Sequence, residues 1–208
     1  MKIRIILAAS ALIAFGSYAQ AQIPYPNIGT IAPTNTFTAT STGDITGYFV
    51  QGGAASGGGA SDLDYVQMID LTTNTSSGWL FDNQTTVAGA SADFGSVNAG
   101  DTLEFQLLNV SLGNEVFSSI PADSFDGDNH AYSTSWGGGT LNGATIPAGT
   151  YIGMEDEPAS FSDFNYNDDS FVFTDVSSTP TIPEPSSFYM LGSGLLGLME
   201  YGRRKLRA

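Results

Sequence analysis

Between Arg4 and Arg203 the chain has no lysine and no arginine, yet all 21 of its aspartates and glutamates lie in that interval. A domain made from this stretch cannot pair a carboxylate with a Lys or Arg of its own. Each acid must stay hydrated, accept backbone N–H bonds at a turn, or meet a cation from solution. The formal net charge of −15 repels polyanions, so nucleic acid and anionic lipid headgroups are not expected partners. Two readings of the acidity stand side by side: solubility of an exported protein, or a specific cation role.

The same stretch is rich in Gly, Thr, Ser, Asn and Asp and shows no sustained 3.6-residue period. Short β-branched and aromatic runs recur between turn residues. They predict strands at 36–40, 45–51, 64–71, 78–82, 102–110, 115–119, 131–136, 150–154 and 170–176. In 102–110, Leu103, Phe105 and Leu107 share one face, with Glu104 and Gln106 on the other. Two segments echo each other, 97–103 and 146–152, each a tight turn with a glycine (Gly100, Gly149) ahead of a strand. The Gly-rich pieces 52–59 and 137–143 read as mobile loops. Many short strands at this spacing predict an all-β fold, a single antiparallel β-sandwich of jelly-roll type. There is no cysteine, which removes thiolate metal sites and cysteine nucleophiles.

Both ends differ from this body. Lys2 and Arg4 precede an apolar run of ~13 residues, too short to span a bilayer, and Ala19-Gln20-Ala21 has the small-residue spacing of a signal-peptidase site. Residues 1–21 are therefore expected to be a signal peptide cleaved after Ala21, with Ala19 and Ala21 specifying the cut. At the other end an uncharged run, 187–199, holds Phe188, Leu191, Leu195, Leu196 and Leu198. As a helix it would cover ~20 Å, less than a hydrocarbon core of ~30 Å. Arg203, Arg204, Lys205 and Arg207 follow and are expected to stay on the cytoplasmic side. The expected organisation is signal peptide 1–21, N-terminal segment 22–41, β-sandwich 42–177, linker 178–185, hydrophobic helix 186–202 and basic end 203–208.

Acids concentrate in two stretches, 123–130 and 153–169. Asp163, Asn165 and Asn167 alternate like the first half of a calcium loop, whose hard oxygen ligands converge on one ion. The match then ends: Asp168 stands where an EF-hand requires Gly, and Thr174 where it requires a bidentate Glu. A different oxygen-ligand site stays open, with Asp126, Asp128, Glu155, Asp156, Asp163, Asn165, Asn167 and Asp168 as candidate metal ligands and Ca²⁺ as the candidate ion. His130, the one histidine, cannot build a three-histidine zinc site and is expected at a turn or strand start. No G-x-S-x-G stretch occurs, and no catalytic residue is assigned.

Pro183-Glu184-Pro185, the apolar run and Arg203-Arg204-Lys205 together resemble the PEP-CTERM sorting signal of exported Gram-negative proteins. The resemblance covers about 26 residues, with Glu200 standing where such tails usually carry a small or apolar residue. It implies recognition by an exosortase, a membrane-embedded cysteine protease, and processing near Pro183-Glu184-Pro185. It implies a precursor anchored in the inner membrane through the C-terminal helix, then release to periplasm, surface or matrix. In such proteins the tail is often associated with exopolysaccharide and biofilm.

The body, roughly 42–176, resembles a domain of unknown function frequent in that group. The residues carrying this are Gly153-Met154-Glu155-Asp156, Asp163-Phe164-Asn165-Tyr166-Asn167-Asp168 and the upstream Asp126-Gly127-Asp128-Asn129-His130. Met154 and Asn165 depart from the usual Gly-Phe-Glu-Asp and Asp-Tyr-Asn-Asp. That resemblance implies a fold and a cation site rather than a reaction.

The resulting expectation is an exported, non-catalytic surface or matrix protein, sorted by an exosortase after signal-peptidase cleavage and linked to exopolysaccharide. The alternatives are a carbohydrate-binding module using aromatics such as Trp136, or a glycoside hydrolase with paired carboxylates such as Glu155 and Asp168.

Overall fold

A computed structural model describes residue 23 and residues 25–180. The expected signal peptide, the Pro-Glu-Pro stretch, the hydrophobic run and the basic end lie outside the described residues.

In β3 (Asp64–Asp70) buried and half-exposed side chains alternate without a break, the period of a strand that lays one face on a core. It pairs along its whole length with β6 (Thr102–Asn109). Leu103, Phe105 and Leu107 of β6 face inward, as the alternation predicts. Glu104, on the other face, is buried as well, because Ser118 Oγ and Gln106 Nε2 each donate to its carboxylate at 2.6 Å. The first sheet runs β13 (Val176–Pro180), β1 (Asn35–Ala39), β6, β3, β4 (Thr75–Ser76). The strand β7 (Glu115–Ser118) continues beyond β1 alongside β6. The second sheet runs β5 (Ser91–Val97), β2 (Gly43–Gln51), β12 (Asp169–Phe173), β11 (Gly149–Met154), β8 (Ala131–Trp136). Every strand pairing is antiparallel.

The two sheets enclose one aromatic core. Phe173 of β12 meets Phe105 of β6 with ring centroids 4.3 Å apart, and Phe94 of β5 edge-on at 4.9 Å. Phe37, Val66, Met68 and Phe117 from the first sheet face Ile45, Phe49, Ile152 and Phe171 from the second. Burying each such side chain stabilises the fold by about 1.5–3 kcal/mol.

The second sheet is covered on its outer side too. A hairpin of β9 (Gly139–Leu141) and β10 (Ala144–Ile146) sets Leu141 and Ile146 against Val50, Tyr151 and Val172. All five residues of β12 are therefore buried, as in a central strand with both faces packed.

The all-β antiparallel sandwich expected from the sequence is the fold observed, but several local expectations are corrected. The segment 137–143 is not simply a mobile loop: it contains β9 and the hairpin turn. Asn142 and Gly143 both have positive φ, 46° and 81°, as a two-residue turn matching strand twist requires. The strand expected at 78–82 reduces to one bridge, Leu80 to Val66, since Phe81 at φ 57° breaks the extended run. The single strand expected at 170–176 is two strands in different sheets, β12 and β13, separated by Asp175 at φ 59°. β5 escapes the sequence reading because it is an exposed edge of small and polar residues. Gly149 is needed for space rather than for positive φ: a Cβ there would collide with the Phe173 carbonyl oxygen. The sandwich also takes in β1, upstream of residue 42.

Candidate functional site

Antiparallel pairing brings the starts of β3 and β12 and the ends of β2, β6 and β11 to one end of the sandwich. Asp64 opens β3 in the first sheet, and Asp169 opens β12 in the second. Asp156 lies two residues past the end of β11. One carboxylate oxygen from each can be chosen so that all three lie within 4.8 Å of one another. Asp64 and Asp169 are both 0% exposed and Asp156 is 5% exposed.

Asn83 organises the cluster from behind. Its Nδ2 donates to Asp64 Oδ2 at 2.8 Å and to Asp169 Oδ2 at 3.2 Å, and its Oδ1 accepts the Asp64 N–H at 2.9 Å. The second oxygens, Asp64 Oδ1 and Asp169 Oδ1, are buried with no hydrogen-bond partner. Gly52 packs so closely against Asp169 that a Cβ there would lie 2.5 Å from Oδ1.

Above the cluster opens a cleft of about 280 Å³, walled by Asp62, Glu155, Asp156, Glu157, Asp163 and Asp168, with Phe161 at its rim. Asn109 Nδ2 donates to Asp62 Oδ2 and to the Asp156 carbonyl, each at 2.8 Å, and so ties the end of β6 to both walls. A wider groove of about 510 Å³ follows the seam between β8 and β13. It is lined by hydroxyls such as Ser133, Thr134 and Ser177 and by no ionisable side chain, so it can neither neutralise a cation nor transfer a proton. The smaller, acidic cleft is the site with chemistry.

Burial dominates the electrostatics here. It raises Asp64 to about 7, against the lowering effect of its hydrogen bonds. Burial, then the charges of Asp64 and Asp62, raise Asp156 to about 8. Burial, then Asp156 and Glu155, raise Asp168 to about 9. Asp169 is pushed well above its ordinary value by burial and by Asp64 and Asp156. Every shift has the same sign: a bare negative charge is disfavoured at each of these positions. A positive ion among these oxygens would reverse it.

Of the residues singled out in the sequence, Glu155, Asp156, Asp163 and Asp168 come together at the cleft. Glu155 is largely occupied within the protein: Ser162 Oγ and the Tyr166 N–H both donate to it, while burial raises its pKa. Asp163, Asn165 and Asn167 hydrogen-bond along their own loop. Asp163 Oδ1 accepts the Asn165 N–H at 3.1 Å and Asn165 Oδ1 accepts the Asn167 N–H at 2.9 Å, so the alternation makes successive Asx turns.

Asp126 stands apart from the cleft. Its Oδ1 lies 3.0 Å from His130 Nε2 and takes the Asp128 N–H at 3.1 Å, while its Oδ2 takes the Ala159 N–H at 2.7 Å. Burial opposes ionisation of Asp126, but these hydrogen bonds and His130 hold its pKa below the ordinary value. The two acidic stretches do meet, then, through Asp126–Ala159 and the Glu155 N–H to His130 carbonyl bond, but not at the carboxylate cluster. His130 immediately precedes β8, as its expected strand-start role requires. Trp136 is half-buried under the hairpin, with Nε1 donating to the Ile146 carbonyl at 3.3 Å.

Sequence reasoning missed Asp64, Asp169, Asp62 and Asn83. A signal for two of them existed: Asp64 is in phase with Val66 and Met68, and Asp169 with Phe171 and Phe173, so alternation points both inward. No protein-family model, curated protein or solved structure matches the chain.

Proposed function

We propose that this chain is an exported, non-catalytic surface or matrix protein whose β-sandwich takes up a hard divalent cation, of which Ca²⁺ is the prime candidate, at its acidic end. The observation that carries this is the meeting of acids from both sheets at one cleft, with no lysine or arginine among the described residues to balance them. Hard cations are held by such oxygen-only donor sets. The calcium concentration outside a cell suits a site of extracellular affinity, about 10⁻⁴–10⁻³ M.

Export and sorting rest on the sequence: the signal peptide ending at Ala21, Pro183-Glu184-Pro185, and the basic end. Signal peptidase and an exosortase would act in turn on the precursor, leaving the acidic domain outside the inner membrane, in the periplasm, on the surface or in an exopolysaccharide matrix. A glycoside hydrolase is less well supported. Its expected pair, Glu155 and Asp168, does line the cleft, but Glu155 already accepts from Ser162 Oγ and the Tyr166 N–H, which leaves it little freedom to act on a sugar. A carbohydrate-binding surface built on Trp136 is likewise weakened by the packing of that ring under the hairpin.

Two measurements test the reading. Calorimetric titration and thermal melting of the purified chain with Ca²⁺, then with excess chelator, should show binding and a raised midpoint. No heat and an unmoved midpoint would remove the cation role. Mass spectrometry of the mature protein from a host with an exosortase should find the chain ending near Pro183-Glu184-Pro185. An intact Arg207-Ala208 end in that host would remove the sorting role.

A further inference from the structure

Carboxylates buried in pairs or triples normally survive by hydrogen bonding, by protonation, or by a metal. Asp70 illustrates the first route. It too is buried and in phase with the core, at the far end of β3. Its oxygens take the Thr72 N–H at 2.8 Å, the Thr73 N–H at 3.2 Å and the Thr73 hydroxyl at 2.7 Å. Against the penalty of burial, those bonds hold its carboxylate below the ordinary range.

The opposite end of the same strand is built differently. Asp64 and Asp169 have one oxygen each anchored by Asn83, and the other oxygen of each is buried and unpartnered; one carboxylate oxygen of each lies within 4.8 Å of one from Asp156. No turn N–H satisfies either Oδ1, and the Gly52 backbone closes the side of Asp169 Oδ1 where another residue's Cβ would intrude.

We propose that Asp64, Asp156 and Asp169 form a discrete calcium-class site whose ion bridges the two sheets. The inference deepens the cation role proposed above and rests on it, but it names ligands that are separable from the other acids of the cleft. Three carboxylate ligands with no histidine or cysteine in the group select a hard ion over zinc or copper. Ca²⁺ fits better than Mg²⁺, which dehydrates reluctantly and keeps several waters, whereas the floor of this cluster is fully buried. Asp156 borders the open cleft, so water can reach the remaining coordination positions from that side. Asn83 acts as a positioning residue: by holding both Oδ2 atoms it fixes the orientation of both carboxylates. Because Asp64 belongs to the first sheet and Asp169 to the second, occupation ties one sheet to the other at the end remote from Asp70.

The test uses the full chain and isosteric amides, with Ca²⁺ as the probe. Wild type should bind one ion per chain and melt higher with calcium. Asp64→Asn and Asp169→Asn should each weaken calcium binding by at least about 100-fold, while Asp175→Asn, an exposed acid at the opposite end of the sandwich, should bind as wild type does. In metal-free buffer the two floor variants should melt at or above wild type, since each removes a buried charge opposed by its neighbours. A merely structural carboxylate would lower the midpoint equally with and without calcium, and that result would overturn the site. Unchanged calcium binding in Asp64→Asn or Asp169→Asn would overturn the ligand assignment while leaving the broader cation role standing. Absence of binding in wild type would end both. Should a floor amide prevent folding, Asp156→Asn, at the cleft edge, carries the same comparison.

Discussion

Asp64 and Asp169 begin strands in opposite sheets, yet one side-chain amide, Asn83 Nδ2, hydrogen-bonds both, at 2.8 Å and 3.2 Å. Asn83→Ala should act in two ways. It leaves the buried Asp64 N–H without its acceptor, a loss of about 1–3 kcal/mol. It also frees both carboxylates to rotate, weakening calcium binding about 10–100-fold. Urea unfolding in metal-free buffer reads the first effect and calorimetric titration the second.

Stability of the metal-free chain should fall as pH rises. Asp64, Asp156 and Asp168 are raised from an ordinary value of 3.8 to about 7, 8 and 9. Above pH ~4 the folded state therefore binds more protons than the unfolded one, and stability drops as these groups ionise. The stabilisation is fully present below the unfolded value and lost by about pH 9. Urea midpoints of dialysed, metal-stripped protein at pH 5 and pH 8 test this. Calcium should protect chiefly at the higher pH, where the carboxylates are ready to bind it. A midpoint that rises from pH 5 to pH 8 without metal would contradict the assignment.

Gly52→Ala introduces a Cβ 2.5 Å from Asp169 Oδ1 and 2.8 Å from Phe49 Cζ. Neither neighbour can retreat freely, because Phe49 is core and Asp169 is held by Asn83. The expected loss is about 1–3 kcal/mol from overpacking, with a weaker calcium response. A variant as stable and as responsive as wild type would mean that the loop carrying Gly52 yields easily.

Phe173→Ala removes the ring that joins Phe105 of the first sheet to Phe94 of the second. The cavity should cost about 3–5 kcal/mol, seen as a lower urea midpoint. Phe161→Ala, at 78% exposed, should stay within about 0.5 kcal/mol of wild type.

The Asn142-Gly143 turn predicts a local rather than a global effect. Gly143→Val places a β-branched residue at φ 81° and should lift the hairpin from the second sheet at a cost of about 1–2 kcal/mol. Hydrogen exchange would then quicken in β9 and β10 while β3 and β6 keep their protection.

How much was legible in advance can be traced residue by residue. Alternation in 102–110 correctly sent Leu103, Phe105 and Leu107 inward, and the recurrence of such runs gave the antiparallel β class. The hairpin at Asn142-Gly143 was missed because its glycine-rich flanks mask a turn signal that is strong by itself. The break at Asp175 was missed because 170–176 carries enough β-branched and aromatic residues to read as one strand; the change of sheet is made by backbone geometry at one residue.

By itself the sequence determined that carboxylates would be numerous and without Lys or Arg partners, because no such residue lies between Arg4 and Arg203. It also set which residues alternate inward, since the side-chain period of a strand is two. Which acids share one point was decided by the tertiary structure alone. Asp64 and Asp169 are far apart in the chain and become neighbours because β3 and β12 start at the same end of facing sheets. The conspicuous run Asp163-x-Asn165-x-Asn167 forms its own turns, because a backbone N–H two residues on lies within hydrogen-bond reach of Asp163 Oδ1 and of Asn165 Oδ1.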